Sequence, residues 1–344
     1  MSQESNKIIR IAVDAMGGDF TPENPVLGAA EAAAENSNIE VILVGPEERI
    51  KDVLKKKNLN ISNLKIVHTD EYVTMEDLPA EVFKAKPNSS LNVALKLQRD
   101  KEADAMVSAG NTGAVLSHST LRLGRIQGIG RATIGANLPA IRGATLVFDV
   151  GATVDCRPDH LVEYAIMGSI FAQYIYKKEN PKIGLLSVGE EKSKGNELSL
   201  SAYEMLEKAP INFVGNIEGS DILRGTVDVA ICDGFVGNII IKLAESVLDL
   251  LKYNFREYAD RGFFQKIWMG MMYGTLQKIF KQFDYQEQGG TPLLGVNGVS
   301  IIGHGKSTPY AIKKMIFRAE QVARLEINKK IEEAIKENKL INKK

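Results

Sequence analysis

One arrangement recurs along this chain and limits what it can fold into. A short β-branched run ends in a loop rich in Gly, Asp, Asn, Ser or Lys, and an apolar-periodic helix follows. Residues 8–13 lead into Asp14-Ala-Met-Gly-Gly-Asp19, residues 41–44 into Gly45-Pro46, and residues 104–108 into Ala109-Gly-Asn-Thr-Gly113. Residues 145–150 lead into Gly151-Ala-Thr-Val-Asp155-Cys-Arg157-Pro158. The second half repeats the pattern: residues 183–188 precede a loop from Gly189 to Glu197, and residues 229–232 precede Asp233-Gly-Phe-Val-Gly-Asn238. Residues 299–302 precede Gly303-His-Gly-Lys-Ser307, with Thr308-Pro309 opening the last helix. Strands alternating with helices predict right-handed βαβ units and a mostly parallel sheet between two helical layers. No Pro/Gly/Ser linker interrupts the pattern, so residues 8–330 read as one α/β unit, with a charged, frayed tail over 331–344.

Whole-chain properties remove several function classes. Lysine plus arginine and aspartate plus glutamate both total 43, so there is no global electrostatic footprint for nucleic acid. Cys156 and Cys232 stand far apart in no metal-like spacing, and Met1 to Lys7 lacks the apolar core of a signal peptide. No apolar run approaches the roughly 18–20 residues of a spanning helix. A reduced, cytosolic protein is the expectation.

In open α/β sheets ligands bind beyond the carboxyl ends of strands, where these unusual loops fall. Gly17-Gly18, Gly110 with Gly113, and Gly234 with Gly237 allow backbone N–H groups to approach an anion beside a helix start. Turn geometry alone also explains each of them. Lys192 and Lys194 bracket Ser193 before a helix start, a seat for phosphate or a solvated charged loop. Arg157 is open to two readings, a phosphate ligand or a partner of Asp155. Asp233 could move a proton or orient a nucleophile, with Asn238 and Lys242 holding an oxyanion.

Other signatures are missing. The first loop lacks G-x-G-x-x-G, and the stretch from Ser300 to Ser307 misses the P-loop by having Ser300 where its first glycine belongs, although Lys306 and Ser307 could still meet an anion. There is no G-x-S-x-G elbow, and His68, His118, His160 and His304 show no metal spacing. Direct attack by a bound nucleophile is therefore expected, without a covalent enzyme intermediate.

Residues 262–283 stand apart. Phe264, Ile267, Trp268, Met271, Met272 and Phe280 follow helical spacing, edged by Lys266, Lys278 and Lys281. Such a stripe serves a core, a subunit contact, an acyl chain or a membrane surface.

Taken in order, these motifs, together with Gly289-Gly-Thr-Pro-Leu-Leu-Gly295, resemble the bacterial phosphate acyltransferases, the acyl-[acyl-carrier-protein]–phosphate transacylases of phospholipid synthesis. The resemblance covers residues 8–330. It implies a three-layer, isocitrate/isopropylmalate dehydrogenase-like fold related to phosphate acetyltransferase, with an amphipathic helical segment at about 245–287. It also implies a homodimer with no metal and no cofactor. The reaction implied is transfer of a long fatty acyl chain from acyl carrier protein to inorganic phosphate. The acyl phosphate would then feed a membrane glycerol-3-phosphate acyltransferase, so a cytoplasmic enzyme touching the membrane peripherally is expected. By chemistry and position, the expected catalytic residues are Asp233, Asn238, Lys242 and Lys194. Phosphate or substrate is expected at Asp14, Gly17, Gly18, Asp19, Ser108, Gly110, Asn111, Thr112, Gly113, Asp155, Arg157, Lys192, Ser193, Asn196, His304, Lys306 and Ser307. The competing readings are a short-chain acyl-coenzyme A phosphate acyltransferase, an NAD-dependent decarboxylating dehydrogenase and a non-catalytic membrane scaffold.

Overall fold

The alternating pattern becomes one mixed sheet in the computed structural model, which describes residues 7–281 and 283–338. Its strands are β1 (Ile9–Asp14), β2 (Ile39–Gly45), β3 (Leu64–His68), β4 (Ala105–Ser108), β5 (Thr133–Ala140) and β6 (Gly143–Phe148), then β7 (Ile183–Leu186), β8 (Phe213–Ile217), β9 (Val229–Ile231), β10 (Thr291–Leu294) and β11 (Ser300–Ile302). They lie in the order β3-β2-β1-β4-β11-β10-β5-β6-β9-β7-β8. All pairings are parallel except those of β10 with β11 and β5, and of β5 with β6.

Helices cover both faces. The first half carries α1 (Glu23–Glu35), α2 (Glu47–Lys56), α3 (Pro79–Ala85), α4 (Ser90–Arg99) and α5 (Thr112–Leu123). Then come α6 (Pro158–Ile175), α7 (Glu197–Leu206), α8 (Gly219–Arg224), α9 (Gly234–Asp260), α10 (Phe263–Lys281), α11 (Pro309–Arg324) and α12 (Ile327–Glu337). Strand residues alternate between the two faces, as the period of two demands. Ile9, Ile11 and Val13 join a cluster with residues of α1, α6, α11 and α12, whereas Ala12 meets α4 and α5 on the other side. Strands buried on both faces explain the near-continuous apolar runs in the sequence.

Two features position the functional loops. The three antiparallel pairings reverse the direction of β6, β9, β7 and β8 relative to β1, β4 and β11. Reversal alone would put the two sets of strand ends on opposite edges. The second feature is α9, about 40 Å long at 1.5 Å per residue. Only Gly234 and Gly237 of α9 are buried, and none of α10 is. The two helices pack on each other, with Phe255 and Phe280 5.9 Å apart, and carry Phe264 (81% exposed) and Trp268 (56%) in the open. Residues 262–281 are therefore not core of this chain.

The charged tail expected from residue 331 is helical as far as Glu337. Ile327, Ile331 and Ile335 of α12 are buried at helical spacing against the rest of the core, so periodicity outweighs the Lys/Glu-rich composition there. Residues 339–344 of that tail lie outside the described residues.

Candidate active site

The loops leaving β1, β4 and β11 form one group. Asp14 ends β1 with its carboxyl buried, accepting from the hydroxyls of Ser90 (2.6 Å) and Ser108 (2.8 Å) and from the Met16 N–H (3.2 Å). Burial pushes its pKa up despite those bonds. Glycine is needed at position 17, because a Cβ there would stand 2.6 Å from Ser108 Oγ and 2.7 Å from Asp14 Oδ2. Gly110 N donates to Ser108 Oγ, and Asp19 N donates to Gly305 O. Asn111 caps α5 through the Ala114 N–H, and its amide donates to the carbonyls of Met75 and Asp77.

Asp14, Ser108, Gly110 and Asn111, expected at the ligand, thus have their polar atoms engaged with one another and with neighbouring backbone. Asp14 Oδ1 already holds two donors and Oδ2 one. Ser307 is buried, its carbonyl accepting from Asn24. Gly18 and Gly113 are half-buried, and Asp19, Thr112, His304 and Lys306 reach solvent.

A second group lies at the ends of β6, β9 and β7. Asp149, fully buried, accepts from the N–H groups of Ile134 (3.2 Å), Ala152 (3.1 Å) and Thr153 (2.7 Å), and burial raises its pKa. Thr153 O in turn accepts from Gly234 N at the start of α9 (2.9 Å). Asp233 caps α9, with Oδ1 accepting from Val236 N (2.9 Å) and the carboxyl half-buried. Asn238 is exposed beside Gly151. Leu185 of β7 is level with Ile231 of β9, so Ser187 and Asp233 leave neighbouring strand ends about 4.8 Å apart.

The charged residues sort themselves by partner. Arg157 makes a two-pronged bond to Asp159 (3.0 and 2.9 Å) and not to Asp155, which is exposed. Lys192 pairs with Glu207 and lies 5.1 Å from the Tyr203 ring centre. Lys242 pairs with Glu245, about 12 Å up α9 from Gly234. Asn196 caps α7 through Ser199 N (2.9 Å). Ser193 and Lys194 are exposed, and among the described residues no carboxylate pairs with Lys194. The sequence reading missed Ser90 and Asn216; Asn216 donates to Glu191 O at 2.9 Å beneath the Lys194 loop.

What this arrangement offers is an exposed ammonium in the loop that enters the N-terminus of α7, with α9 starting beyond the neighbouring strand end; helix N-termini favour an anion. Burial pushes the Cys156 thiol up to about 11 and the Cys232 thiol well above its ordinary value, so neither is set up as a nucleophile. Among the described residues no group of three or more His, Cys, Asp or Glu side chains is disposed to hold a metal ion. Nor do hydrogen bonds or ion pairs join residues 14–19 and 108–113 to the second group among those residues; one shared ligand would have to bridge them.

The chain is similar to known proteins over nearly all of its length. The family model described as "Fatty acid synthesis protein" matches residues 9–330. A phosphate acyltransferase of Dictyoglomus turgidum is 44% identical over 330 residues, covering 95% of this chain and 98% of that protein. One of Pelotomaculum thermopropionicum is 45% identical, covering 95% and 94%. Among solved structures, a phosphotransacetylase from Streptococcus pyogenes superposes with a TM-score of 0.65 at 18% identity, covering 92% of this chain and 94% of that one. The EutD phosphotransacetylase from Staphylococcus aureus gives 0.60 at 16%, covering 93% and 95%. The fold is thus the phosphotransacetylase fold expected from the sequence, and this chain belongs to the phosphate acyltransferase family of enzymes.

Proposed function

We propose that this enzyme transfers a long fatty acyl group from an acyl carrier protein thioester to inorganic phosphate. The observation that carries the reading is the likeness, along 95% of the chain, to relatives named phosphate acyltransferase. A long acyl chain is favoured by the fatty acid synthesis family model and by the exposed Trp/Phe/Met hairpin of α9 and α10.

In the proposed mechanism phosphate sits at the Lys194 ammonium and at those N–H groups of the first turns of α7 and α9 that Asn196, Asp233 and Thr153 leave open. A phosphate oxygen attacks the thioester carbon, a carbon–oxygen bond forms, and the carbon–sulfur bond breaks. The carrier leaves as a thiolate and takes up a proton. Holding a phosphate dianion beside the carbonyl supplies most of the acceleration through proximity. Asn238 donates to the developing oxyanion, and the free oxygen of Asp233 orients a protonated phosphate oxygen. The hairpin would rest on a membrane surface or a second copy of the chain, leaving acyl phosphate where a membrane glycerol-3-phosphate acyltransferase could take it. No described helix is long and apolar enough to cross a membrane, so a peripheral attachment fits this role.

Mass spectrometry of the purified protein with palmitoyl-acyl carrier protein, with and without phosphate, tests the reading. Phosphate-dependent deacylation of the carrier with palmitoyl phosphate appearing is the expected result. Turnover with acetyl-coenzyme A alone would replace the donor, and inertness with both would overturn the reading.

A further inference from the structure

We infer that Asn216 is a positioning residue for Lys194, setting affinity for the phosphate co-substrate from beneath the loop. The inference rests on the reading that Lys194 receives phosphate.

The Lys194 loop is tied down from two neighbouring strands. Lys194 N donates to Glu191 O, closing a tight turn at 3.0 Å. From β8, the Asn216 amide donates to Glu191 O at 2.9 Å and reaches Lys194 O at 3.5 Å. From the end of β7, Ser187 Oγ donates to the same Lys194 carbonyl at 3.1 Å. Both ends of the turn that presents the lysine are thus held by side chains, while the exposed ammonium has no ion-pair partner among the described residues. Its neighbour Lys192 is held by Glu207.

A β-bulge aims Asn216 at this loop. The pairing of β7 with β8 skips a residue between Phe213 and Gly215, and Gly215 takes φ +104, in the left-handed region that favours glycine. Strict alternation would put Phe213 and Ile217 on one face. Instead Phe213 packs with the cluster that includes Ala202 of α7, and Ile217 joins Val147 and Ala230 on the opposite face. Asn216 therefore faces the α7 side, beneath the loop. It is buried there, and its Oδ1 has no hydrogen-bond partner. An asparagine with an unpartnered buried oxygen is a poor choice for stability alone, which points to a use for its two donors.

The test uses the full chain in the acyl phosphate assay with phosphate and acyl donor varied separately. Asn216→Ala is expected to raise KM for phosphate at least fivefold and to change KM for the acyl donor less than twofold. Asn216→Asp keeps the shape but loses both donors; it is expected to lose at least as much, and it serves if the alanine variant melts early. Because Asn216 acts through Lys194, the double variant with Lys194→Ala should be no worse than Lys194→Ala alone, within twofold. Wild-type KM for phosphate in both Asn216 variants, an equal loss for both substrates, or losses that multiply in the double variant would overturn the inference. A wild-type protein that forms no acyl phosphate would overturn the functional reading and this inference with it.

Discussion

Asp149→Asn isolates the contact that fastens α9 to the sheet. The carboxyl is fully buried and accepts from three backbone N–H groups. Asparagine can keep one oxygen on Ile134 and Ala152, but its NH2 must then face the Thr153 N–H, now 2.7 Å from the carboxylate. A charge-assisted bond worth about 1.5–3 kcal/mol disappears, and a buried N–H left facing a donor costs about 1–3 kcal/mol more. Relief from burying a charge returns part of this, leaving a net loss of about 2–4 kcal/mol. Urea unfolding at pH 7 with unchanged slope measures it.

The pH dependence has a definite sign. Burial raises the Asp149 pKa in the folded chain above its ordinary 3.8, so the folded form holds a proton more tightly than the unfolded one. Its contribution is fully present below the unfolded pKa and is lost as pH rises through the native pKa. The gap between wild type and variant should therefore widen on acidification toward about pH 4. A deficit below about 1 kcal/mol, or one that narrows with acid, would refute the reasoning.

Three further outcomes follow from the same structure. A Cβ on Gly237 would stand 1.8 Å from Asp149 O, so Gly237→Ala must shift the first turn of α9; a cost of about 1–3 kcal/mol and reduced turnover are expected, and an unchanged melting temperature would count against this packing. With the Cys156 thiol pushed up to about 11 and the Cys232 thiol well above its ordinary value, the native protein should resist iodoacetamide at pH 8 and react only when unfolded; rapid native labelling followed by mass spectrometry would contradict this. Replacing Phe264 and Trp268, 81% and 56% exposed, with glutamate should abolish co-sedimentation with anionic vesicles; binding that survives in the folded variant would remove the membrane from the proposal.

Legibility in the sequence followed local physics. The seven strand–loop–helix units were readable because parallel strands buried on both faces read as continuous apolar runs. The strands missed are those that break that rule. β5 carries Gly135, Asn137 and Pro139, β10 carries Pro292, β8 carries the bulge at Gly215, and β3 is only partly buried. Helix starts were predictable, and Asn111, Asn196, Asp233 and Thr308 cap α5, α7, α9 and α11. Which carboxylate meets which cation was not, since Lys192–Glu207 depends on how a helix packs back against its own loop. Likewise, the reversal separating the β1/β4 loops from the β6/β9 loops comes from β5 and β10, the strands the pattern hid.

The place of β10 and β11 has a consequence for how the chain is made. They are the last strands synthesised, yet they lie in the middle of the sheet, with Met106 pairing to Ser300 and Ile134 to Leu293. Until they leave the ribosome, β4 and β5 each present an unpaired edge, the kind that recruits strands from other chains. Neither half can finish folding ahead of the other, so final assembly waits on contacts of long sequence separation, which close slowly. Nascent chains stopped before about residue 300 should accordingly need chaperone cover, and the finished protein should gain its cooperativity in a single late step.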